Sequence, residues 1–124
     1  MKVKATKNCI EGSNKKYDVT IGNEYCVLQI DFDYNDSKII NRFNDFTRFR
    51  IIEDSGIMMP CASKLFTITD SKIPPNWVIN KLDDEHIEIL PAEFRYDGFL
   101  EDYYDGVLSA VNTVKEQLEL VKNI

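Results

Sequence analysis

The stretch YDGFLEDYYDG, residues 96–106, holds four acids, four aromatics and no base. On a helix, Asp97, Glu101 and Asp105 fall at i, i+4 and i+8 and share one face. Paired carboxylates can hydrolyse glycosides or hold Mg²⁺ through oxygen ligands. Like charges at that spacing also repel, at about 0.2–0.5 kcal/mol per pair, so the pattern needs a cause. Asp105 stands just ahead of an apolar helical stripe and can cap that helix or favour its positive end; Asp97 can do the same for residues 99–105. Glu101 and Asp102 are left without such a task. Beside them stand Tyr103 and Tyr104, a residue type that suits an interface because it combines area with a hydrogen bond. The expected partner-contact set is therefore Asp97, Glu101, Asp102, Tyr103, Tyr104 and Asp105. A small chain offers little room for a substrate cleft beside these carboxylates, so binding is expected ahead of catalysis.

Other stretches offer less. DFDYNDS, residues 31–37, has the rhythm of a calcium loop, but Asp36 stands where the sharp-turn glycine belongs and Arg42 where the bidentate acid belongs. A cation in place of the strongest ligand defeats the site, so no metal is expected. His86 is the only histidine, and it is expected to be an exposed turn residue whose acidic neighbours Asp84, Glu85 and Glu88 can raise its pKa. No lipase-type serine elbow, zincin, phosphate-loop or dinucleotide fingerprint occurs. Cys9, Cys26 and Cys61 are odd in number and widely spaced, which points to free thiols in a reducing compartment.

The net charge of −6 is unevenly spread. Residues 82–106 carry nine acids and one base, a local −8; the rest carries twelve acids and fourteen bases, a net +2. A patch this negative repels phosphate and disfavours nucleic acid, and it favours a basic protein partner. No run approaches the roughly 18 apolar residues of a membrane span. The N-terminus lacks the apolar core of a signal peptide, so a cytoplasmic location is expected. With 124 residues, one domain is expected, with 1–70 and 71–124 as its two parts. It is expected to be a monomer or a weak homodimer.

The elements that position these residues are strands first and helices last. Val3 and Ala5 alternate with lysines. Residues 24–31 and 46–54 are rich in β-formers, with Phe49 and Ile51 on one face and Arg48 and Arg50 on the other. Asp54-Ser55-Gly56 reads as a tight turn. Pro60 places its strand at an edge or bend. Residues 31–45 read as a long, mobile polar loop. The SKIPPN run is a connector, followed by two short strands around LDDEH and a short helical piece over 99–105. Val107, Val111, Val114, Leu118 and Val121 then trace one face of an α-helix. Val107, Val111, Val114 and Leu118 should face the sheet, together with Trp77.

The runs YDVTIGNEYCVLQID, FRIIEDSG and MPCASKLFTI resemble those of small SH3-like β-barrel proteins of bacteria and phages. The likeness covers residues 2–70 and implies an α+β fold: a small barrel with a C-terminal helical element packed on it. It departs from that pattern at the 31–45 insertion and at Met58-Met59. The C-terminal half, with IPPNWV, LPAEF and DGFLEDYYDG, is similar to immunity proteins of polymorphic-toxin and contact-dependent inhibition systems. That resemblance implies a non-catalytic protein without a cofactor that neutralises one toxin domain. A phage-encoded inhibitor of a host defence protein, or a small-ligand-binding accessory module, is the alternative.

Overall fold

Alternation in the first residues does form a strand: β1 (Lys2–Ala5) buries Val3 and Ala5 and exposes Lys4. The computed structural model describes residues 1–124. The long strand β2 (Glu24–Asp33) is the spine of the molecule. It pairs with β1 over residues 24–26, with β3 (Thr47–Ile52) over 27–32 and with β7 (His86–Pro91) over 30–33. β3 continues to β4 (Met58–Ala62), β1 to β5 (Phe66–Asp70), and β7 to β6 (Trp77–Lys81). All pairings are antiparallel, and the main path runs β4-β3-β2-β1-β5 in an open sheet. With helices α1 (Ser37–Phe43), α2 (Phe99–Tyr104) and α3 (Leu108–Lys122), this is a mixed α+β fold. No helix is long and apolar enough to cross a membrane.

The turn at Asp54-Ser55-Gly56 is present, with Gly56 at φ +88° where a side chain would strain the backbone. Pro60 lies in β4, the last strand of its path, as a residue without an N–H requires. Val3, Leu28 and Ile51 of the sheet join Ala110, Val114 and Val121 of α3 in one buried cluster. That cluster spans both halves of the chain.

Two expectations about elements are corrected. Residues 31–45 are not a loop: β2 runs on to Asp33, and residues 37–43 form α1. The Asp36 carboxylate accepts the Ile39 N–H at 3.3 Å and caps that helix. Phe43 is buried, with Lys15, Arg42 and Arg48 lying against its ring. The buried face of α3 is also shifted by about one position from the valine stripe. It is built from Ala110, Val114, Gln117 and Val121, while Val107 is exposed and Val111 and Leu118 are only half-buried. Gln117 can be buried because the Asn76 amide donates to its carbonyl at 2.8 Å. Trp77 is buried as expected.

Candidate functional site

The 96–106 segment is anchored by aromatics. Phe99 is buried and stacks on Phe94 at 4.4 Å between ring centroids, and Tyr96 meets its edge at 5.4 Å. The hydroxyl of Tyr103 accepts the Met58 N–H at 2.9 Å, and that of Tyr104 donates to the Met58 carbonyl at 2.5 Å. Both hydroxyls therefore hold α2 on β4, while Tyr104 stays 46% exposed. α2 is only six residues long, which breaks the expected three-acid face. Asp97 precedes the helix and Asp105 follows it; Glu101 and Asp102 lie within it. Neither capping role holds. Gly98, at φ +84°, occupies the cap position of α2, and Val107 that of α3, each without a side-chain cap. Gly98 makes the turn without a side chain, and Gly106 and Val107 separate Asp105 from the start of α3.

Asp97, Glu101 and Asp105 are exposed and Asp102 is half-buried. None of the four forms an ion pair; Asp102 alone accepts a hydrogen bond, from Tyr96 at 3.4 Å. Beside them lies a cleft of about 210 Å³. Leu90, Phe94, Phe99 and Leu100 contribute apolar lining; Gln29, Asn80, Glu88, Asp97 and Glu101 contribute polar groups, and Arg95 is its one cation.

The floor of this cleft belongs to a polar row that crosses the sheet. Asn80, Glu88, Asp31 and Arg48 are successive cross-strand neighbours on β6, β7, β2 and β3. Two carboxylates opposite each other should repel. Gln29, which is 1% exposed, resolves the conflict by donating its amide N–H groups to Asp31 at 2.7 Å and Glu88 at 2.9 Å. Asp31 is further matched by Arg50 at 3.1 Å and Arg48 at 3.6 Å, and Asp33 by Arg48 at 2.9 Å. Glu88 receives only amides, Gln29 and Asn80 (3.1 Å). Burial holds its carboxyl above the usual range, and the nearby Asp31 charge adds to this.

His86 is not simply exposed. Its Nε2 lies 2.8 Å from Asp36 and its Nδ1 2.8 Å from Asp83. Those hydrogen bonds raise its pKa to about 9. The acids responsible are Asp36 and Asp83, with a smaller effect of the Asp33 charge, rather than Asp84, Glu85 and Glu88. The imidazolium pins α1 to the β6–β7 turn. No group of three or more His, Cys, Asp or Glu side chains is placed to hold a metal ion. Cys9, Cys26 and Cys61 are free thiols, and burial pushes the Cys61 thiol far above the range of a nucleophile.

Sequence reasoning missed Gln29, Asn80 and Glu88. Their only signal is a polar residue inside an apolar strand, and their convergence depends on pairing between residues 59 positions apart. No family model matches this chain, no curated protein matches it, and no solved structure matches it.

Proposed function

We propose that this chain is a non-catalytic binding protein, an immunity-type inhibitor that neutralises a basic toxin domain through the acidic surface around α2. The observation that carries the reading is the contrast in pairing. Asp31, Asp33 and Asp36 all have cationic partners within the chain, whereas Asp97, Glu101, Asp102 and Asp105 have none. Unmatched carboxylates on an anchored helix favour a cationic surface and accelerate its association. Tyr103 and Tyr104 enter as anchors of that surface, with the exposed ring of Tyr104 at its border. A cytoplasmic location belongs to the same proposal. So does an SH3-like barrel for residues 2–70, supported by the order β4-β3-β2-β1-β5, the sharing of β2 between β1 and β3 and the 3-10 turn before β5.

The test is a tagged pull-down from the native cell at low and at about 0.5 M salt, where exposed charges are screened within a few ångströms. One basic partner, retained at low salt and weakened at high salt, is the expected result. Glu101→Lys with Asp102→Lys should weaken that complex by more than about tenfold while the fold persists. An unchanged affinity would move the interface elsewhere.

The small-ligand reading draws on the cleft beside Asp97 and Glu101. The same cleft and the raised Glu88 are what an enzyme reading asks for. Its volume of about 210 Å³ is below the roughly 300 Å³ at which small-molecule sites begin. That favours insertion of a single side chain over enclosure of a substrate.

A further inference from the structure

We propose that the cleft floored by Gln29 and Glu88 is a socket for one basic side chain, an arginine or lysine of the protein partner. The inference rests on the inhibitor reading and names its anchor. Three features of the cleft converge on it. Gln29 is almost wholly buried, and because both of its neighbours are carboxylates its amide nitrogen must face them. Its carbonyl oxygen then has no donor within the chain, and Gln29 is among the residues that line the cleft. Glu88 is a half-buried carboxylate whose hydrogen bonds come from neutral amides alone. Such a group forms no ion pair, whereas its neighbour Asp31 forms two, and the Arg50 charge that acts on it is already paired with Asp31.

The walls fit the rest of a long basic side chain. Leu90, Phe94, Phe99 and Leu100 offer apolar lining for its methylenes, and Asp97 and Glu101 add exposed carboxylates. A guanidinium could donate to the Glu88 carboxylate and the Gln29 carbonyl together, since its N–H groups are fixed in a fork. Arg95 is the only cation already in the lining, yet it is exposed and forms no ion pair. The socket thus asks for a cation from outside.

The test titrates capped arginine, the N-acetyl N-methylamide, into the isotope-labelled full chain at about 0.15 M salt. Capped norleucine serves as the apolar control. Saturable shifts of the Gln29 and Asn80 side-chain amides and of the Gly98 and Leu100 backbone are expected with arginine and not with norleucine. Glu88→Gln should weaken binding by about tenfold or more, the loss of a hydrogen bond to a charged group. Leu82→Lys, at an exposed position of the lining, should compete by placing an ammonium at the mouth. Its outcome does not depend on how well Glu88→Gln folds. Shifts that are absent, or unaltered in both variants, overturn the socket. A retained basic partner whose affinity ignores Glu88→Gln and Leu82→Lys leaves the inhibitor reading standing and ends the socket. Capped arginine that binds in the cleft, with no protein retained, keeps a cation site and ends the inhibitor reading.

Discussion

The chain contains two acid-rich stretches that look alike on paper and behave in opposite ways. In DFDYNDS, Asp31 and Asp33 are paired with Arg48 and Arg50, and Asp36 caps α1 and holds His86. In YDGFLEDYYDG, no acid meets a cation. The first stretch is structural, and its charges are matched within the molecule. The second is held in place by its aromatics, which leaves its charges free for something else. Acid density alone does not separate these two roles; the position of the arginines does.

The sharpest way to break the comparison is to remove one acid from each stretch. Asp31→Ala strands the largely buried Arg50 guanidinium, takes an acceptor from the buried Gln29 amide and should lower unfolding free energy by about 3–5 kcal/mol. Asp97→Ala or Asp105→Ala should change it by less than about 0.5 kcal/mol. Urea denaturation of the three variants measures both, and a similar loss in all three would end the distinction.

Next in size is the contact that anchors the second stretch on β4. Tyr103→Phe leaves the Met58 N–H without its acceptor and should cost about 1–2 kcal/mol. The same denaturation experiment reads it, and hydrogen exchange at Met58 should quicken. An unaltered exchange rate would remove the Tyr103 hydroxyl from the anchor of α2, leaving Tyr104 and Phe99.

The smallest effect belongs to pH. His86 has its pKa raised from 6.5 to about 9, so its folded form favours the proton. That contribution is complete below pH 6.5 and is lost as pH rises through about 9. Asp36 and Asp83 are lowered by the same contact and by backbone N–H donors, so their share is present above the usual carboxylate range and is lost in acid. Melting temperature should decline modestly on the alkaline side, and His86→Gln should flatten that decline. Equal slopes in both proteins would remove His86 from the account.

Much of the frame was legible because it follows short-range rules. The alternation in β1, the Gly56 turn and the proline at the edge all depend on a few neighbours. α1 escaped because seven residues give too short a sample for a period, although Asp36 is a favoured N-cap residue type. The face of α3 was misplaced because Ala110 is small and Gln117 is polar, so a stripe drawn through valines pointed about one position away. The six site residues were read from composition, which located the segment. It could not see that both tyrosine hydroxyls turn inward, nor that Glu88, Gln29 and Asn80 meet. Those contacts are made by strand pairing, which brings distant residues together.

The two tyrosines on Met58 have a further consequence. β4 ends its side of the sheet, and its outward N–H and carbonyl at Met58 would otherwise offer a start for a foreign strand. Two phenols stand in for that missing neighbour, and Pro60 in the same strand has no N–H to offer. The helix that displays the free acids thus also guards the sheet against templated aggregation. A partner strong enough to lift α2 from β4 would unmask a surface on which the protein could polymerise.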